Sequence, residues 1–267
     1  MATSAAAPFR GLTGLHLLLT YECNFECDHC FVWGGPDRNG TMSFATVEHI
    51  LREAKQVGTV EWIYFEGGEP FLHYRLLCDG ARLAQRQGFK VGMVSNGYWG
   101  TSGPEAVEWL RHFVGIVEDL SISDDGYHGD GGAERPALIA YRAAQRLGIP
   151  VDFISVAEPA AADVGGVAGQ LPAGDSAVMF RGRAAAKLAS RVPALPWRQF
   201  TRCPWEDLRQ PERIHVDAFG YLHVCQGISI GNLLQRPLAE ILRDYRPDEH
   251  PIVGPLLAGG PVELMNR

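Results

Sequence analysis

Leu15-His16-Leu17-Leu18-Leu19-Thr20, followed by Cys23-Asn24-Phe25-Glu26-Cys27-Asp28-His29-Cys30, decides how this chain is read. An apolar run of strand length feeds a C-x₃-C-x₂-C triplet. Three thiolates on one short loop suit a metal, and iron–sulfur clusters are normally held by Cys thiolates. A cubane has four irons, so three cysteines leave one iron open to another ligand. A reactive group at the C-terminal end of a buried strand sits where α/β barrels place their chemistry. The alternatives are structural zinc and plain buried thiols. Structural zinc wants four ligands, and the nearest fourth, His29, is too constrained by its neighbours to close a tetrahedron easily.

Outward from this stretch, strands and helices alternate. Strands are expected at Leu15–Thr20, Trp62–Glu66, Val91–Ser95, Leu120–Ser123, Val151–Val156 and Ala177–Phe180. A helix near 43–57 shows i, i+3, i+4, i+7 spacing in Val47, Ile50, Leu51 and Ala54. A second covers 74–87, and a third is announced by the capping box Ser102-Gly-Pro104-Glu105. A fourth covers 135–147 and stops at Gly148. This alternation implies a parallel sheet. Six strands are too few for a closed eight-stranded barrel, so the expected fold is α/β, an open partial (β/α)₆ barrel. Residues 159–175 read as a loop, and Pro193, Pro196 and Pro204 as a linker. Beyond it, Ile214–Cys225 reads as a hairpin turning near Ala218–Gly220, closed by a helix carrying Leu238, Ile241 and Leu242. The domains expected are 1–190 and a small α+β extension, 191–267.

Each strand end carries polar chemistry. Glu66-Gly67-Gly68-Glu69-Pro70 follows the second strand; its glycines let backbone approach a ligand closely, and its carboxylate can accept hydrogen bonds from an ammonium group. Ser95-Asn96-Gly97 ends the third strand with short groups able to bind ribose hydroxyls. Ser123-Asp124-Asp125-Gly-Tyr127-His128 ends the fourth; Asp124, Asp125, Tyr127 and His128 are candidates for substrate contact or proton transfer, or else a solvated acidic loop. Trp33, Tyr98 and Trp99 can wall the same mouth or simply pack. Arg181-Gly-Arg183-Ala follows the sixth strand. At 100° per residue Cys78 shares a helix side with Arg75, Arg82 and Gln85, which reads as a surface thiol rather than a hydrogen-atom donor.

The triplet, the Gly-Gly-Glu-Pro stretch and the strand order together resemble the radical S-adenosylmethionine (SAM) superfamily, over about residues 14–245. The resemblance implies a [4Fe-4S] cluster on Cys23, Cys27 and Cys30 whose open iron chelates SAM. It implies SAM contacts from Gly67, Gly68, Glu69, Pro70, Ser95, Asn96 and Ser123, with Arg181 or Arg183 near the SAM carboxylate or the substrate. The reduced cluster would cleave SAM to a 5′-deoxyadenosyl radical that takes a hydrogen atom from substrate. Cys203, Gly220-x₄-Cys225 and Ile230-Gly231-Asn232-Leu233 resemble the start of a SPASM or twitch extension, which carries auxiliary iron–sulfur clusters. The later cysteines of that pattern are missing. Two thiolates do not complete a cubane, so His215, His223, Asp217 or substrate would supply the remaining ligands of an auxiliary cluster; two ordinary thiols are the alternative.

The chain has 267 residues, 46% of them apolar, and a net charge of −7. With no Lys/Arg run, nucleic acid is not an expected partner. No apolar run reaches the roughly 20 residues of a membrane span, and the start lacks the charged and apolar regions of a signal peptide. Six cysteines at metal spacing in an unexported chain point to the cytoplasm. An external electron donor of the flavodoxin or ferredoxin type is implied. Three functions compete: a peptide-modifying enzyme, whose leader peptide a separate recognition protein would deliver; an enzyme acting on a sugar, aminocyclitol or amino acid; and a non-enzymatic iron–sulfur scaffold or electron carrier, against which the SAM motifs argue.

Overall fold

A computed structural model describes residues 11–128, 135–157, 159, 175–176, 178–203 and 206–267. Strands β1 (Gly14–Thr20), β2 (Trp62–Gly67), β3 (Lys90–Ser95), β4 (Val117–Ser123), β5 (Val151–Val156) and β6 (Asp175–Ser176) are parallel. Helices α1 (Phe44–Val57), α2 (Tyr74–Arg86), α3 (Gly103–Leu110) and α4 (Pro136–Leu147) lie between successive strands from β1 to β5. The strand ends bear out most expected boundaries. The expected strand at 177–180 does not form at its described positions: Ala177 lies outside the described residues, Val178–Phe180 are not strand, and β6 is the two residues before. The expected loop at 159–175 and Pro204 fall largely outside the described residues.

Local signals set the helix ends. Ser43 caps α1 by accepting from the Thr46 N–H at 3.0 Å, and Gly58 ends it at φ 77°, a conformation costly for residues with a Cβ. Ser102 caps α3 by accepting from the Glu105 N–H at 3.4 Å, while the Glu105 carboxylate accepts from the Ser102 hydroxyl at 3.2 Å.

Alternation along the strands sorts the two faces. Leu15, Leu17, Leu19, Ile63, Phe65, Val91, Met93, Leu120 and Ile122 are buried in the helix-covered core. The opposite parity carries His16, Tyr64, Glu66, Asp119, Ser121 and Ser123, with Leu18 and Val94 among them. In register across the sheet, His215, His16, Tyr64, Gly92 and Asp119 form one belt. The Tyr64 ring lies over Gly92, where a Cβ would come within 2.2 Å of it, and its hydroxyl donates to Asp119 Oδ2 at 2.7 Å.

The C-terminal hairpin continues the same sheet. β7 (Arg213–Val216) joins β1 in parallel, and β8 (Tyr221–Cys225) and β9 (Ile228–Asn232) follow antiparallel, giving the order β6-β5-β4-β3-β2-β1-β7-β8-β9. The turn falls at Asp217–Gly220 as expected, with Asp217 Oδ1 accepting from the Phe219 and Tyr221 N–H groups. Helix α5 (Leu238–Asp244) buries Leu238, Ile241 and Leu242, and Glu53 of α1 accepts from the Leu238 N–H at 2.9 Å. Helix α6 (Val253–Met265) follows, broken at Gly259–Gly260.

Cys78 corrects the helical-wheel reading: it is 5% exposed. The wheel considers only the sheet as cover, whereas α2 is also covered by Tyr74, one turn back, and by the turn Arg111–Phe113. Burial pushes its thiol up.

Candidate active site

The cysteine loop starts where β1 ends and is held on three sides. The Cys23 N–H donates to Gly35 O at 3.1 Å, folding the loop back. The Gly68 and Glu69 N–H groups donate to Thr20 O and Glu22 O at 2.7 and 2.9 Å. A Cβ at Gly68 would lie 2.2 Å from Glu22 O, and one at Gly67, where φ is 148°, 2.3 Å from Thr20 O. Only paired glycines let these two strand ends meet. From the third side Arg183, 2% exposed, donates from Nη1 to Cys27 O at 2.7 Å and from Nη2 to Gly34 O at 2.6 Å. Its own N–H donates to Cys30 O at 2.9 Å. Arg183 therefore spends its guanidinium on the cysteine loop, and of these two arginines it is Arg181 that lines the cavity.

A cavity of about 520 Å³ opens over this loop. Cys23, Cys27 and Cys30 line it together with Gly67, Gly68, Ser95, Asn96 and Ser123. The sulfurs receive donors: Phe25 N–H to Cys23 at 3.4 Å, Asn96 Nδ2 to Cys23 at 3.8 Å, and Gly34 N–H to Cys30 at 3.2 Å. Burial pushes the Cys23 thiol up to about 11 and that of Cys27 up to about 12, with neighbouring negative charge adding to it. Thiolates persist in such a place only against positive charge, which a bound metal centre supplies. Three cysteines with N–H donors aimed at two of them, beside an open cavity, fit a cluster with one exposed metal.

Glu69 is fully buried behind Gly68, Ser95 and Asn96, and does not itself line the cavity. Its Oε1 accepts from the Phe71 N–H and Ser95 Oγ at 3.0 and 2.9 Å, and Oε2 from the Asn96 N–H at 2.8 Å. Burial outweighs these bonds and pushes the carboxyl up to about 7. Pro70 opens the short helical turn that follows. Trp99 is core: it stacks on Phe71 at 4.7 Å and its Nε1 donates to Ser95 Oγ at 3.0 Å. Neither Trp33, Tyr98 nor Trp99 lines the cavity.

Of the fourth-strand candidates, His128 alone lines the cavity. Asp125, whose side chain is 1% exposed, lies 3.5 Å from His128 Nδ1 and 3.6 Å from His29 Nε2. Tyr127 packs on His29 at 4.3 Å, and Asp124 is paired to Arg135 at 2.6 Å. Burial lowers the His29 imidazole.

Farther along the chain, Arg181 Nη1 donates to Cys225 Sγ at 3.1 Å, and burial pushes that thiol up, with the Glu206 carboxylate adding to it. His215 and His223 do not join this pair. His215 is bonded to Glu66 on the barrel floor and His223 to Asp217, because alternate residues of β7 and β8 face the barrel interior. Sequence reasoning missed His16, Glu66 and His215 as a group. The signal was a polar residue at alternate positions of an apolar strand, but the partner strands were not assignable.

Residues 17–157, more than half the chain, match the radical SAM superfamily. The chain belongs to that superfamily, which is one of enzymes. YydG of Bacillus subtilis (strain 168), named a peptide biosynthesis protein, is 31% identical over 111 residues, 41% of this chain and 35% of its own. The S-adenosylmethionine-dependent nucleotide dehydratase of Selenomonas ruminantium is 35% identical over 83 residues, 31% of this chain and 29% of its own. The chain thus spans about a third of the length of these curated relatives. The structure of BtrN in complex with AdoMet and 2-DOIA superposes with TM-score 0.54 at 13% identity, covering 87% of this chain and 82% of that one, a likeness of fold. Membership implies a [4Fe-4S] cluster and SAM, which the donor set above fits. No helix among the described residues is long and apolar enough to cross a membrane.

Proposed function

We propose that this chain cleaves SAM reductively and modifies a peptide by hydrogen-atom abstraction. Bound at Cys23, Cys27 and Cys30, the cluster and SAM would supply the electron and the 5′-deoxyadenosyl radical, the electron coming from a flavodoxin- or ferredoxin-type donor. The observation that carries this is the convergence of the three cysteines, Gly67-Gly68 and Ser95-Asn96 on one cavity. The chain's own work is placement. Gly67 and Gly68 offer backbone at the ligand's surface. Glu69 places a negative charge under that surface for the SAM ammonium and fixes Ser95 and Asn96, which are set for the ribose. Ser123 extends the same wall. His128 is placed for proton exchange with substrate, with Asp125 and Tyr127 ordering it and His29, and Asp124 tying the loop to Arg135.

The peptide reading rests on the likeness to YydG; a separate recognition protein would present the leader. The likeness to a nucleotide dehydratase favours a small-molecule substrate as the second reading. Anaerobic incubation with SAM, dithionite and short peptides encoded beside the gene should yield 5′-deoxyadenosine and a mass or stereochemical change in one peptide. SAM cleavage stimulated by nucleotides or sugars, and by no peptide, would replace the first reading with the second. We propose further that Cys203 and Cys225 hold an auxiliary cluster with incomplete cysteine ligation, a bound substrate supplying the ligand that His215 and His223, held elsewhere, do not.

A further inference from the structure

His16, Glu66 and His215 come from three adjacent strands and meet at the cavity wall. His16 stands opposite His215 on β7 and Tyr64 on β2, and Glu66, two residues beyond Tyr64, shares their face one step nearer the strand ends. Glu66 Oε1 is 2.8 Å from His16 Nδ1 and 3.2 Å from His215 Nε2. One ligand atom from each residue lies within 4.8 Å of the other two, the sole such group among the described residues. The side chains are 12–15% exposed, and all three line the cavity. Tyr64 stacks on His16 at 4.5 Å and 13°, fixing its ring, while the two imidazoles are tilted by 55° rather than stacked.

This arrangement is more convergent than a hydrogen-bonded carboxylate needs. Two imidazoles satisfying a glutamate would spread over its two oxygens; here both nitrogens aim at one. Metal bonds of about 2.0–2.2 Å at octahedral to tetrahedral angles set neighbouring ligand atoms about 2.8–3.6 Å apart, a range that spans both contacts. Two imidazole nitrogens and one carboxylate oxygen suit zinc-like and ferrous ions rather than magnesium or calcium, which prefer oxygen donors.

We infer that His16, Glu66 and His215 bind one divalent transition-metal ion of the zinc or ferrous class, distinct from the cysteine-loop cluster, with open positions facing the cavity. Three protein ligands leave room for an exogenous oxygen, so the ion would anchor a hydroxyl, carbonyl or carboxylate of the substrate opposite the SAM end.

The test uses the full chain with its iron–sulfur centres reconstituted, so that the cysteines are occupied, and Zn²⁺ alone as the probe. After anaerobic desalting, one zinc per chain should remain, with an X-ray absorption first shell of nitrogen and oxygen at about 2.0–2.1 Å and no sulfur at about 2.3 Å. Glu66→Gln and His215→Gln should each weaken zinc binding by about a hundredfold or more, the upper range for loss of even an outer-shell partner. Iron content and SAM binding report that these variants are folded. No retained zinc, a sulfur shell, or unchanged affinity in folded variants overturns the inference. If neither variant folds, the wild-type stoichiometry and shell decide alone. Because the readout is zinc rather than SAM cleavage, either this site or the cysteine-loop assignment can fail without the other.

Discussion

Arg183 reaches back from the end of the barrel to the carbonyl of Cys27 at 2.7 Å, closing the cysteine loop from the side its own strand cannot reach. With the bond to Gly34 O, a buried guanidinium holds both halves of that loop. Charged hydrogen bonds are worth roughly 1.5–3 kcal/mol each, so Arg183→Met should destabilise the loop by about 3 kcal/mol or more. Iron retained after anaerobic gel filtration should fall, with a lower melting temperature. Equal iron and equal melting would show that the arginine is dispensable there.

Gly92 is the space the Tyr64 ring occupies. Gly92→Ala should displace that ring, break its bond to Asp119 and cost about 1–3 kcal/mol, as overpacking does. Tyr64→Leu in the same chain should recover part of that loss. A double variant no more stable than Gly92→Ala would mean the strain lies elsewhere.

Glu69 titrates where physiological pH can reach it. Its carboxyl is pushed up to about 7 by burial, so the folded state holds that proton more tightly than the unfolded chain. Its contribution to stability is therefore full below the ordinary carboxyl range and declines as pH rises toward 7. A cationic ligand favours the ionised form, so SAM affinity should rise with pH, by about tenfold between pH 6 and 8 if only that form binds. Glu69→Gln should flatten this dependence and weaken binding by about one to two orders of magnitude. A flat profile in the unaltered chain, or full affinity in the variant, speaks against the assignment.

Cys203 and Cys225 can be judged by iron alone. With Cys23, Cys27 and Cys30 all changed to Ala, reconstitution should leave about four irons per chain if the auxiliary cluster is present. None would leave the pair as structural thiols beside Arg181.

Much of this was legible because it is local. The periodicity of Val47, Ile50, Leu51 and Ala54, the Ser102–Glu105 cap and the Asp217–Gly220 turn depend on near neighbours, and those elements formed where expected. The cysteine loop and Gly67-Gly68 were legible as chemistry because both follow a strand end. What escaped was settled by distant chain. Cys78 is buried by a turn thirty-odd residues on, and Trp99 went to the core because Phe71 and Ser95 receive it. Arg183 serves the cysteine loop because Gly182, at φ 58° and with no room for a Cβ against Cys30 O, docks its segment there. His16, Glu66 and His215 converge only once β7 is known to pair with β1.

The most direct test of the central claim is SAM cleavage by the chain lacking all three loop cysteines. Reconstituted anaerobically with SAM and reductant, the unaltered chain should form 5′-deoxyadenosine, and its reduced cluster should change its electron paramagnetic resonance spectrum on adding SAM. The Cys23/Cys27/Cys30→Ala chain should form none. Undiminished 5′-deoxyadenosine from that variant would contradict the account.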